Sequence, residues 1–126
     1  MFANAMLMKG EKESGGNMKD DNQIPNVILN AGLYFKYSGF DANLFTNYTG
    51  PYSNNRFVNP VWVQQNGDFP LGNFVSADWN GGYTFSGKLS TRIFAEVKNI
   101  LDKKYMTVAG YPESGRLFST GVKLFF

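Results

Sequence analysis

Tyr52, Arg56, Trp62 and Gln64 fall within one polar stretch and combine two aromatic rings, a guanidinium and an amide. Such a set grips a ligand by stacking and by directional hydrogen bonds, and it contains no group that would transform one. Tyr105 and Tyr111, in a second polar stretch, offer two further phenols. Binding residues concentrate on loops held by a rigid scaffold, so Tyr52, Arg56, Trp62 and Gln64 are the leading candidate ligand contacts, with Tyr111 and Tyr105 weaker ones. Trp62 has an equally good alternative role, as an anchor where apolar and aqueous surroundings meet. Catalysis has little to work with. There is no Gly-x-Ser-x-Gly, no His-Glu-x-x-His and no phosphate loop. The chain lacks His and Cys altogether, which removes the commonest general base and metal ligand and all thiolate chemistry. Asp20-Asp21 offers carboxylates to a calcium ion without the further spaced oxygens such a site needs, so the pair is read as solvated. The expectation is a protein that is not an enzyme, with no catalytic residue, no metal and no cofactor.

The scaffold for these residues is written in two-residue alternation, the signature of strands with two unlike faces. Such strands are predicted over about 26–37, 40–49, 72–85, 88–99 and 115–126. Residues 1–8 read as the end of an earlier one. Val27, Leu29, Ala31, Leu33, Phe35 and Tyr37 share one phase; Phe40, Ala42, Leu44, Thr46 and Tyr48 continue it, as do Val75, Ala77, Trp79, Gly81, Tyr83 and Phe85. Ser38-Gly39 and Ser86-Gly87 mark short turns. The stretches 9–23, 50–71 and 100–114 are polar, glycine- or proline-bearing loops, with Val61-Trp62-Val63 expected to extend a strand. Connections thus alternate long and short. The expected fold class is all-β: about six antiparallel up-and-down strands, a sector of a larger transmembrane β-barrel.

Composition agrees. The chain has 126 residues, of which 43% are hydrophobic, 17% aromatic and 17% charged, enough for one domain. No run approaches the roughly 18 apolar residues of a spanning helix, whereas a barrel strand needs only about 9–11 alternating ones. A net charge of +2 without a basic cluster argues against a nucleic-acid binder. Lys36, Asp41, Asp78, Lys88, Arg92, Glu96, Lys98 and Lys123 all fall on the polar phase of their strands, and none on the apolar phase. A midplane Lys or Arg facing lipid costs about 2–4 kcal/mol, so a bilayer enforces such segregation. Lys88, Arg92, Glu96 and Lys98 either line a ligand path or form a solvated barrel interior, the latter preferred. Tyr37, Phe40, Tyr83, Phe85 and Phe126 sit on the apolar phase beside the short turns or at the terminus, as an interfacial aromatic girdle would. Asp102 with Arg116 reads as a binding pair or, preferably, as a cap at the rim.

The segment Val97-Lys98-Asn99-Ile100-Leu101-Asp102-Lys103-Lys104-Tyr105, followed by Gly110-Tyr111-Pro112, Gly115-Arg116 and terminal Phe126, resembles the end of a TonB-dependent outer-membrane receptor. Pro25 and Gly32-Leu33-Tyr34 resemble an earlier strand of that family. The likeness covers residues 24–126 and is densest over 97–126. Ser114 departs from it, standing where the family usually has Pro before Gly-Arg. The resemblance implies that residues 1–126 are the C-terminal part of a barrel of about 22 strands with a plugged lumen, the plug domain lying outside them. It implies a place in the cell outer membrane and energy-coupled uptake of a scarce ligand: iron-siderophore, haem, cobalamin or glycan. Implied partners are outer-membrane lipid, the plug and TonB through the N-terminal part, and the barrel-assembly machinery, whose recognition signal corresponds to Phe118, Val122, Leu124 and Phe126. The absence of a signal peptide at residues 1–9 fits a C-terminal piece of something longer. The alternative is a small soluble β-barrel or calyx with an apolar ligand inside.

Overall fold

The computed structural model describes residues 1–20, 23–53, 58–66, 69–87 and 89–125. Its elements run β1 (Phe2–Leu7), β2 (Glu11–Ser14), β3 (Asn17–Asp20), β4 (Val27–Tyr37), β5 (Phe40–Thr49), β6 (Tyr52–Ser53), α1 (Pro60–Asn66), β7 (Pro70–Leu71), β8 (Phe74–Phe85), β9 (Ser90–Lys98), β10 (Met106–Val108), β11 (Tyr111–Pro112) and β12 (Leu117–Phe125). Six of these form one sheet in the order β1-β4-β5-β8-β9-β12, every neighbouring pair antiparallel. The all-β, antiparallel, up-and-down expectation is met. β1 and β12 are the sheet's edges.

Register carries the alternation of single strands across the whole sheet. Leu33, Leu44, Trp79, Val97 and Phe118 are successive cross-strand partners. Nearer the short turns, Tyr37, Phe40, Tyr83, Ile93 and Val122 form a second such row. Successive residues of a strand point to opposite faces, so both rows lie on one face, together with Ala3, Ala31, Thr46 and Ala77. That face bears no charged residue. Lys36, Asp41, Asp78, Arg92, Glu96, Lys98 and Lys123 all lie on the other; Lys88 and Phe126 are outside the described residues. Among the described residues no second layer packs on either face over its middle. Leu33 and Tyr34, adjacent and therefore opposed, are 54% and 57% exposed. The buried apolar residues Leu71, Phe74, Ala77 and Ala109 all gather at the end of the sheet where the long connections emerge.

The ion pair that bridges strands on the polar face depends on a glycine. Arg92 stands opposite Thr84 and Lys123, and Asp41 opposite Lys36 and Gly82. The guanidinium crosses to the carboxylate over Gly82, Nη2 donating to Oδ2 at 2.8 Å and Nη1 to Oδ1. A β-carbon at Gly82 would lie 2.8 Å from Nη2. Only a residue without a side chain leaves that path open.

Four expectations are corrected. Val61-Trp62-Val63 belongs to α1 and extends no strand. The Val61 N–H donates to Asn59 Oδ1 at 2.9 Å and the Val63 N–H to the Asn59 carbonyl at 3.2 Å. Asn59 is thus a helix cap with Pro60 in the first turn, a combination that outweighs the β-preference of two valines. Residues 9–23 are not simply loop, since β2 and β3 form a hairpin turned on Gly15 and Gly16 at φ 62° and 81°. Likewise β10 and β11 pair within 100–114. The predicted strand 72–85 starts two residues late because Gly72 and Asn73 take φ 77° and 52°, outside the extended region.

Candidate functional site

The long connections leave one end of the sheet, and two of them dock on each other there. β6 pairs with β7, Tyr52 opposite Leu71 and Ser53 opposite Pro70, and α1 lies between them in sequence. Gly72 returns the chain at positive φ against the Gly50 carbonyl, where an added β-carbon would collide with that oxygen; glycine alone meets both demands. Tyr52 is half-buried, and its hydroxyl donates to the Thr107 carbonyl at 2.7 Å, tying the 50–73 connection to the 99–116 one. Beneath, the rings of Phe74 and Tyr105 stack with centroids 4.0 Å apart and planes 17° from parallel. The Thr107 hydroxyl donates to Glu113 at 2.7 Å, and the Glu113 N–H to the Tyr105 carbonyl at 3.0 Å.

Asn99 organises the second connection. It is 5% exposed, sits at φ 51°, and its side chain bonds the backbone on both sides of the loop. Nδ2 donates to the carbonyls of Lys103 at 2.9 Å and Ser114 at 3.3 Å, while Oδ1 accepts from the Lys103 N–H at 3.0 Å. Its own N–H donates to Asp78 Oδ1 at 2.8 Å. Asp102, at φ 51°, accepts from the Arg116 N–H at 2.9 Å. The carboxylate therefore holds the backbone where the loop re-enters the sheet.

No family model, no curated protein and no solved structure matches this chain. What it can do must be argued from its own residues. Of the candidate contacts, Tyr52 is committed to Thr107. Trp62 lies on α1 against Phe69, ring centroids 5.4 Å apart, with part of its indole exposed. Gln64 is exposed on the same helix. Tyr111, on β11, is 64% exposed. Arg56 lies outside the described residues, as does Asp21 of the Asp20-Asp21 pair. Tyr52 and the β10–β11 hairpin that carries Tyr111 are brought together; Trp62 and Gln64 sit on α1. Among the described residues no group of three or more His, Cys, Asp or Glu is placed to hold a metal ion. The expected assembly-signal residues Phe118, Val122 and Leu124 all lie on the uncharged face and are exposed.

Both docked tyrosines resist ionisation. Burial pushes the Tyr52 phenol up from its ordinary value, with the Glu113 charge adding to it. Burial does the same for Tyr105, with Glu113 and Asp78 adding to it. The folded loop end therefore keeps protons that the unfolded chain releases near pH 10. Its stability contribution is complete below about pH 10 and is lost as pH rises through the raised folded values. Titration followed by tyrosinate absorbance is expected to show late-ionising phenols that become ordinary as the loops separate, and Tyr52→Phe is expected to remove one of them. Ordinary titration of every tyrosine in the folded protein would contradict the docking.

Sequence reasoning singled out neither Asn99 nor the asparagine row on the polar face. There Asn47 Nδ2 donates to Asn30 Oδ1 at 2.7 Å and Asn30 Nδ2 to Asn4 Oδ1 at 2.9 Å, with Asn43 Nδ2 donating to Asn80 Oδ1 at 2.8 Å alongside. The signal was the recurrence of Asn on the polar phase of three successive strands, which reads as mere polarity until the register is known.

Proposed function

We propose that this chain is a sector of a transmembrane β-barrel in the cell outer membrane, the C-terminal part of a TonB-dependent receptor that takes up a scarce ligand. One observation carries the reading: a sheet face with no charge on any strand, uncovered over its middle, opposite a face that holds all the sheet's charges. In water such a face, bearing Leu33, Phe35, Phe118 and Val122 in the open, is an aggregation surface; in lipid it needs no cover. Strand lengths support the reading, since β4, β5 and β8 have 11, 10 and 12 residues, matching the roughly 9–11 of a tilted spanning strand. The row Tyr37, Phe40 and Tyr83 suits an interface at the short-turn end, and the elaborated loops suit the outer end. The edges β1 and β12 would pair with further strands of the barrel, because an open edge does not persist in hydrocarbon. Ligand selection then rests with the outer loops, where Tyr52, Arg56, Trp62, Gln64 and Tyr111 are the proposed contacts.

The test is the mass and location of the native polypeptide, detected with an antibody against residues 97–126. The expected result is a band several times heavier than this chain in the outer-membrane fraction. A band of the chain's own mass in the soluble fraction would sink the reading in favour of a small soluble calyx.

A further inference from the structure

The polar face carries, close to its long-loop end, a feature that a merely wetted wall does not need. Asn4, Asn30, Asn47 and Ser76 are cross-strand partners in one row. Their hydrogen bonds run in a single direction: the Thr49 hydroxyl donates to Asn47 Oδ1 at 2.9 Å, Asn47 to Asn30, and Asn30 to Asn4. Bonds aligned head to tail polarise one another. Each amide has two N–H groups and two lone pairs, so the chain leaves donors and acceptors over along its length.

The next row is Phe2, Gly32, Phe45 and Asp78. Gly32 has no side chain, and the Phe2 ring occupies the space one would take. The rings of Phe2 and Phe45 lie 6.0 Å apart at 45°, and they are 50% and 40% exposed. Asp78 offers carboxylate oxygens beside them, one of which receives the Asn99 N–H. Phe2, Asn4, Asn30, Phe45, Asn47 and Asp78 line a notch of about 230 Å³.

The chemistry of this lining selects its occupant. Exposed rings on a polar wall ask for an apolar surface to cover them. The amides beside them are neutral, and Asp78 repels an anion. A flat apolar ligand would stack but leave the amide row without partners, at the cost of desolvating it. A sugar ring meets both demands, since its C–H face packs on an aromatic ring and its hydroxyls donate and accept at once. We infer that this notch is a carbohydrate-binding subsite, in which Phe2 and Phe45 take the sugar's C–H face and the Asn4–Asn30–Asn47 row and Asp78 bind its hydroxyls. The inference rests on the uptake reading, because it takes the polar face for the lumen wall, and it narrows the ligand to a glycan.

The test uses the native polypeptide that carries these residues, purified in detergent and verified as a folded barrel by heat-modifiable gel migration. It is titrated calorimetrically with maltohexaose, cellohexaose, xylohexaose and mannohexaose, and with ferrichrome as a non-carbohydrate probe. Saturable binding of at least one oligosaccharide is expected. Phe45→Leu, which keeps apolar volume without the ring, is expected to weaken it about tenfold. Asn47→Ala is expected to weaken it comparably, and each variant is checked for the same gel migration. A folded barrel that binds none of the oligosaccharides overturns the subsite alone, as does binding that Phe45→Leu leaves unchanged. A polypeptide found only in the soluble fraction removes the lumen, and the subsite with it.

Discussion

Replacing Leu44 by Arg is expected to cost about 2–4 kcal/mol of folding stability in a bilayer. Leu44 lies midway along β5, in the row Leu33-Leu44-Trp79-Val97-Phe118, which is the level that meets the hydrocarbon midplane if the sheet spans. A guanidinium there must either be desolvated or pull water and headgroups inward, and its side chain is too short to reach either interface cheaply. The matched substitution is Ser119→Arg. Ser119 is opposite Glu96 on the charged face, so a new cation there meets an opposite charge across the strands and its effect is expected to stay within about 0.5 kcal/mol. Reversible denaturant unfolding of the two variants in lipid vesicles measures the contrast directly. Equal and small effects at both positions would mean that water wets both faces, and the transmembrane reading would fail. The contrast matters more than either number, because both substitutions add the same side chain to the same kind of element.

How far the sheet was readable from sequence follows from what a strand's own residues specify. Phase is local: the apolar set of β4 and the placement of Lys36, Asp41, Arg92 and Lys123 can be read strand by strand. Register is readable only across a short turn. Because Ser38 and Gly39 alone separate Tyr37 from Phe40, pairing those two forces Asn30 opposite Asn47. The connections 8–26 and 50–73 set no such relation. That Asn4 stands beside Asn30, or Asn43 beside Asn80, was therefore not available, and with it went the amide row and its notch. The Asp41–Arg92 pair was hidden for a related reason, since it is a diagonal contact across an intervening glycine. The α1 error has another origin. Three apolar residues in a row at 61–63 fit a buried strand as well as a helix, and the arbitrating feature, Asn59-Pro60 as cap and first turn, lies outside the run itself. In sequence the loop end is a source of ligand contacts; the structure adds that Tyr52 holds two loops together. A phenol's role depends on what meets its hydroxyl, here a carbonyl 55 residues away in sequence.

Asn99→Ala is expected to release the 99–116 connection, at a cost of about 4 kcal/mol to that segment's local stability. Two separable contributions make up this figure. Alanine at φ 51° pays a steric penalty of about 1 kcal/mol that asparagine tolerates better. The loss of the side-chain amide then leaves the Lys103 N–H and the Lys103 and Ser114 carbonyls without their partner, at roughly 1 kcal/mol for each bond lost. Asn99→Gly distinguishes the two, since it removes the same hydrogen bonds and keeps the backbone conformation, so it should recover about 1 kcal/mol of the alanine loss. Amide hydrogen exchange over residues 99–116 is the appropriate measurement, because the change is confined to an element that opens locally. Residues of β5 and β8 away from that end are expected to keep their protection. Exchange in the loop that is unchanged in both variants would mean that Asp102 and the Phe74–Tyr105 stack suffice to hold it. Where exchange does rise, the difference between Asn99→Ala and Asn99→Gly separates two roles for this position, a backbone kink that glycine makes as well and an amide clasp that asparagine's short side chain supplies at these distances.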